Sequence, residues 1–330
     1  MRKKLVAMLM SGLMVSMVMA GCGNNGADNR TEPNSNSNGE GGLTTDEITL
    51  KVWESSGETE EFIKQAGEEF TKLYPNITIE YENVELGDAN TQIALDGPGG
   101  VGADVFATPS NTIGGLVAGG HILAVDEEDV VGKVAASCEA AVTYDGKIYG
   151  YPVSDETYAL FYNKDLIEEA PTTWEEVEEF CKEFNSGSKY GIIWNVASCE
   201  DAGMNFGVAP LPALPGDENP AASFSGARTM QVSAYTDYPE EAKEFAKFLI
   251  SEEMQQLRFE LTGAIPSVDI EVESEYMAGF QAQLEYAYPM PSIAEIDNFW
   301  DPMNNACSNV WDSADVKKEM DTVNSSVLQR

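Results

Sequence analysis

Basic residues are scarce in this chain, and histidine is nearly absent. There are 19 Lys and Arg against 56 Asp and Glu, and His121 is the one histidine. The formal charge of -37 falls to -40 once Arg2, Lys3 and Lys4 are set aside. No basic patch interrupts the acidic body, so it repels nucleic acid and anionic lipid, and no nucleic-acid partner is expected. A lone histidine and the lack of any Cys-x-x-Cys pair leave no zinc-ligand pattern, so no metal is expected. His121 sits at an expected helix end among small residues, where a capping or surface role suits it. No Gly-x-Ser-x-Gly elbow is present. Asp96–Gly102 reads DGPGGVG but lacks the lysine and hydroxyl of a phosphate loop, and its spacing does not fit GxGxxG. It reads as a turn. Among so many acids, any pair of carboxylates carries little information about acid–base catalysis. Neither an enzyme nor a cofactor is expected.

The apolar run Leu5–Met19 is too short to cross a bilayer comfortably. It follows Arg2, Lys3 and Lys4 and precedes Ala20, Gly21 and Cys22, the order of a secretory signal. Small residues directly before a cysteine resemble the lipobox of bacterial lipoproteins. That resemblance implies a signal peptide over 1–21, a lipidated Cys22, and a body tethered to the outer face of the cell membrane. Residues 22–45, rich in Asn, Gly, Ser, Asp, Glu and Thr, form a flexible linker. Four further cysteines, Cys138, Cys181, Cys199 and Cys307, allow three pairings, and spacing selects none.

The body reads as α/β. Ile48, Leu50 and Val52 alternate as a strand ending at Trp53, and Phe62, Ala66, Phe70 and Leu73 mark one helix face. Ile77, Ile79 and Tyr81 give a second strand, completing a strand–helix–strand unit. A short strand at Val105 and Phe106 precedes a helix from Ile113. Asp145-Gly146 between two short apolar runs predicts a hairpin. Tyr158, Leu160 and Tyr162 predict a well-buried strand. Thr173 with Glu175 and Glu176 predicts a capping box for a helix carrying Trp174, Val177, Phe180, Cys181 and Phe184, with Cys181 in the core. Pro239 opens another helix with Ala242, Phe245, Ala246 and Leu249 on its buried face. Trp53, Trp194 and Trp300 all fall at element ends, where a flat indole suits the apolar face of a sugar ring. In open α/β sheets, ligands bind beyond the carboxyl ends of the strands.

Five stretches carry a family resemblance: TLKVWESSGETEEFIKQAGEEF from Thr49, GVGADVFATPSNTIGGLVAGG from Gly100, DGKIYGYPVSDETYALFYNKDL from Asp145, MNFGVAPLPALPG from Met204, and YPMPSIAEIDNFW over Tyr288–Trp300. Together they resemble the extracellular solute-binding lipoproteins of carbohydrate ABC transporters, close to the maltose/maltodextrin-binding proteins. The resemblance implies a two-lobe, type II periplasmic-binding-protein-like fold with a hinged cleft. Lobe one would hold residues 46–154 plus 232–273, and lobe two 155–231 plus 274–330. Glu156 falls where the family places a sugar-binding glutamate. Trp300 matches a stacking tryptophan, and Met290 lines the same wall. Asn111 stands where an aspartate usually accepts sugar hydroxyls; an amide still hydrogen-bonds but without charge assistance. Thr108 and Thr112 replace an aromatic and a basic residue of some relatives.

After Trp194 the resemblance breaks. A block of several tens of residues, which normally supplies two aromatic platforms and covering helices, is missing before Asn205. A natural small variant, a gene deletion or an assembly error each accounts for it. The second lobe is therefore expected to be shortened, with apolar sheet surface exposed and a shallower cleft. The implied function is oligosaccharide capture and delivery to permease subunits, whose partner ATPase drives import; a monomer is expected. The rival readings are a binding protein for another sugar, a surface lipoprotein that senses sugar without transport, and a glycoside-active enzyme.

Overall fold

The computed structural model describes residues 42–193 and 204–328. The fold begins with β1 (Ile48–Glu54), α1 (Glu58–Leu73) and β2 (Ile77–Asn83). β1 and β2 pair in parallel from Ile48↔Ile77 to Glu54↔Asn83, completing the strand–helix–strand unit that the alternation predicts. Phe62, Ala66 and Phe70 are wholly buried on α1. Leu73 is not: it is 62% exposed, and Tyr74 one residue later packs on Phe70 at 4.7 Å instead. α1 lies so close to β2 that a Cβ at Gly67 would stand 2.9 Å from that of Ile79, which only glycine avoids.

α2 (Ala89–Asp96) runs into a 3₁₀ turn over Gly97–Gly99, the place of the glycine-rich segment. β3 (Val105–Pro109) then adds to the other side of β1. α3 (Ile113–Gly119), α4 (Glu127–Val130) and α5 (Ala136–Val142) follow. β4 (Thr143–Tyr144) and β5 (Lys147–Ile148) form the predicted hairpin. Asp145 and Gly146 both take positive φ, 49° and 73°, as a two-residue hairpin turn of this hand requires. His121 neither caps a helix with its ring nor projects freely; its Nδ1 lies 2.8 Å from the Tyr235 hydroxyl.

β6 (Tyr151–Thr157) leads out of this layer to β7 (Leu160–Asn163), α6 (Trp174–Phe184) and β8 (Phe206–Ala209). The Thr173 hydroxyl accepts from the Glu176 N–H at 3.2 Å in a complete capping box. Among the described residues β7 pairs only with β8, in a two-stranded sheet. The expectation of a well-buried strand fails here: Tyr158 is 63% exposed, and Leu160 and Tyr162 are half-buried. Among the described residues β7 has one strand neighbour and not the covering layer that alternation presupposes. Cys181 is likewise half-buried rather than core, and Val177 is the buried residue of α6.

β9 (Ser223–Val232) returns to the main sheet, followed by α7 (Pro239–Phe248) and α8 (Glu252–Thr262). Ala242, Phe245, Ala246 and Leu249 are wholly buried as predicted, and Phe245 meets Phe70 edge-on at 5.2 Å. The chain ends with α9 (Met277–Leu284), β10 (Ala287–Pro289), α10 (Asp297–Trp311) and α11 (Val316–Val327). The main sheet has the order β10-β9-β3-β1-β2, with β6 on the remaining edge of β9. The expected lobe boundaries at 154/155 and 231/232 fall inside β6 and β9, which pair with each other, and Asp155 also bridges to Ile265. β6, β9 and the segment at Ile265 thus lie side by side. Cys138, Cys181 and Cys307 are free thiols; Cys22 and Cys199 lie outside the described residues. Among the described residues no helix is long and apolar enough to cross a membrane.

Candidate functional site

The site is organised by β9. On one edge β3 runs antiparallel and stops at Pro109↔Arg228, while β10 runs parallel and stops at Pro289↔Ser225. The two strands thus point their carboxyl ends at each other, leaving Gly226 and Ala227 between them. The Ala227 N–H donates to Ser110 Oγ (3.1 Å), and the Met290 N–H donates to the Ser225 carbonyl (2.8 Å). Asn111 and Met290 therefore flank Gly226 from the ends of two strands. On the opposite edge of β9, Gly226 pairs with Glu156. Three predicted ligand residues from distant parts of the chain are brought around one glycine. A Cβ at Gly226 would meet nothing closer than Ser110 Oγ at 3.6 Å, so the floor there is open.

Glu156 is solvent-exposed, yet burial raises its carboxyl above the usual range, against the lowering effect of Arg228 and Arg258. The exposure and the burial describe one geometry: water reaches the group, while the surrounding protein thins its hydration. Its neighbour Asp155 points to the other face, accepting from Ser137 Oγ (2.5 Å) and, through Oδ1, from the Glu156 N–H (2.9 Å). Burial raises Asp155 as well, opposed by these two bonds.

Asn111 and Met290 are both half-buried. The Thr112 hydroxyl is turned back to the Pro109 carbonyl (2.8 Å). Thr108 is wholly buried, with its Oγ1 3.3 Å from that of Thr229, so this position belongs to the sheet interior. Ser292 and Ile293 press on α3 so closely that a Cβ at Gly114 would overlap the Ser292 carbonyl. This clamp sets the Met290 connection beside the Asn111 turn and starts α10 at the same corner. Trp300 on α10 is 36% exposed and meets Phe299 edge-on at 5.2 Å.

Trp53 is not at the surface. It is 2% exposed, donates its Nε1–H to Glu82 Oε2 at 2.9 Å and packs edge-on against Phe106. Its strand has neighbours on both sides, so a residue at its end is still interior; it is a core residue rather than a platform. Trp194 lies outside the described residues. Sequence reasoning missed Glu54, Arg228 and Arg258, which lie near Glu156; Glu54 and Arg258 are fully enclosed. The one available signal was an arginine inside the strand pattern ARTMQV.

A separate apolar cavity of about 1450 Å³ opens beside β7 and α6, lined by Tyr158, Phe161, Trp174, Phe180, Tyr190 and Phe280 among others. Ile193 and Met204, which flank residues 194–203 in the chain, also line it. It coincides with the region where covering helices are missing by resemblance. Among the described residues no group of three or more His, Cys, Asp or Glu side chains is placed to hold a metal ion.

A profile described as bacterial extracellular solute-binding protein matches residues 55–198, and a second profile of the same description matches 187–280. The galactooligosaccharide-binding protein of Bacillus subtilis is 25% identical over 368 positions, covering 82% of this chain and 87% of its own. The maltooligosaccharide ABC transporter solute-binding lipoprotein of Streptococcus pneumoniae is 22% identical over 400 positions, covering 92% and 91%. Both alignments have more positions than this chain has residues, 330. These relatives carry residues without a counterpart here, as an internal deletion requires. A cyclo/maltodextrin-binding protein solved with maltotetraose superposes with a TM-score of 0.72 at 25% identity, covering 88% of this chain and 97% of its own. The main sheet and the two matching profiles together make the chain a member of the bacterial extracellular solute-binding proteins, with their type II α/β fold.

Proposed function

We propose that this chain captures a neutral oligosaccharide of the maltodextrin class and hands it to the permease subunits of an ABC transporter, tethered to the outer face of the cell membrane through lipid on Cys22. The observation that carries the reading is the convergence of Glu156, Asn111 and Met290 on the open floor at Gly226, beyond the carboxyl ends of β3 and β10. Carboxylate and amide oxygens accept sugar hydroxyls there, and the exposed Trp300 supplies an apolar face for a ring. Lobe one comprises residues 46–154 plus 232–273, and lobe two 155–231 plus 274–330. Sugar favours the closed arrangement of the lobes because it contacts both only when they meet. Maltooligosaccharide and maltodextrin in the names of similar proteins support the same class. The shortened second lobe offers fewer platforms, so binding is weaker than in full-length relatives.

Calorimetric titration with maltotriose tests both statements. Binding in the micromolar range is expected; submicromolar binding would refute the weakening, and no binding would refute the assignment. A galactooligosaccharide is the second candidate, because the relative of that name is among the most similar. Preferential binding of it in the same titration would replace maltodextrin as the ligand.

A further inference from the structure

Beside Glu156 lies a cluster of charges whose hydrogen bonds are incomplete. Glu54, at the carboxyl end of β1, is wholly buried. Its Oε1 accepts from the Ser55 N–H (2.7 Å) and pairs with Arg228 Nη1 (3.2 Å). Its Oε2 is buried without a hydrogen-bond partner among the described residues. Arg258 on α8 is 3% exposed and lies over the Phe62 ring at 5.2 Å. Its Nε and Nη1 are likewise buried without partners among the described residues. Arg228 follows Gly226 by two residues on β9, so it shares a face of the sheet with Gly226 and Glu156. Its side chain is 15% exposed. Arg258 interacts electrostatically with Glu54, Arg228 and Glu156, and burial draws its guanidinium down to about 10, still charged at neutral pH.

Buried polar groups are almost always hydrogen-bonded. An unpartnered carboxylate oxygen and two unpartnered guanidinium nitrogens in one cluster call for a group that both donates and accepts. A hydroxyl does both; a carboxylate or an ammonium does only one. Two acids, Glu54 and Glu156, balance two arginines, Arg228 and Arg258, so a charged guest would upset the cluster where a neutral one does not.

We propose that Glu54, Arg228 and Arg258 form a recessed subsite of the cleft that takes one hydroxyl of a neutral sugar, which donates to Glu54 Oε2 and accepts from the Arg258 guanidinium, with Arg228 holding Glu54 in place. This rests on the oligosaccharide reading above and adds a specificity element to it. The test is calorimetric titration of the full chain with maltotriose, wild type beside Glu54→Gln and Arg258→Lys, with thermal melts alongside. Each folded variant is expected to bind at least about tenfold more weakly, the effect of losing one hydrogen bond to a charged group. Unchanged affinity in a folded variant overturns the subsite and leaves only water in that place. Should Glu54→Gln fail to melt cooperatively, Arg258→Lys decides. If the wild type ignores maltotriose but binds a galactooligosaccharide, the maltodextrin reading falls and the same variants test the subsite with that sugar. Binding of neither sugar overturns both.

Discussion

Replacing Trp300 by alanine should weaken sugar binding without unfolding the protein. Trp300 keeps 36% of its surface open. An indole side chain buries up to about 250 Å² when fully covered, so about 90 Å² is available to a ligand. At about 25 cal/mol per Å², a sugar ring that covers all of it gains about 2 kcal/mol. Truncation should therefore raise Kd up to about thirtyfold, and about fivefold if only half the face is covered. Calorimetry with maltotriose reads the affinity, and a thermal melt controls for the packing against Phe299. A folded Ala variant that binds within twofold of wild type would show that no ring rests on this indole, and the stacking role would have to be given up.

Four further outcomes follow from the same structure. Trp53→Phe should lower stability by about 1–2 kcal/mol, through a lost hydrogen bond to Glu82 and a small cavity, and leave sugar affinity unchanged; weaker binding at unchanged stability would return Trp53 to the cleft. Sugar affinity should fall on acidification from a pH above that of an ordinary glutamate, about 4.3, because the Glu156 carboxyl is raised, and Glu156→Gln should flatten that limb in a pH series of titrations. The sign for folding is the reverse: a raised carboxyl costs nothing below the unfolded value and lowers stability as pH rises through the folded one, which urea melts across that range would detect. Iodoacetamide should label the exposed Cys307 in the native protein but spare Cys138, whose buried thiol is pushed well above its usual range, until denaturant is added; mass spectrometry distinguishes the two. Phe70→Ala, which empties a site shared with Tyr74, Phe245 and Phe248, should cost about 3–5 kcal/mol in a denaturant melt.

Local signals in the sequence proved readable where a residue's partners are its near neighbours. Alternation at Ile48, Leu50 and Val52, the helical face of Phe62, Ala66 and Phe70, the Asp145-Gly146 turn and the Thr173 cap each correspond to an observed element. Leu73 and the strand at Leu160 show the limit. Whether an apolar residue is covered depends on the layer above it, and near β7 the described residues supply none. Trp53 was misplaced for a related reason: the end of a strand is a surface only if its sheet neighbours end there too. Resemblance supplied Glu156, Asn111 and Met290 as names, but their meeting at Gly226 needed the register of β9 with three strands. For the Glu54–Arg228–Arg258 cluster the sequence offers only one hint, an arginine inside the strand pattern ARTMQV, because which hydrogen bonds stay unsatisfied depends on the three-dimensional arrangement.

The shared strand also governs when this protein can fold. β9 must reach its place before β3, β6 and β10 have a common neighbour, and it emerges far later than β1 in synthesis. Pairings between such distant segments assemble slowly. A nascent chain thus cannot complete its main sheet until its last third is available.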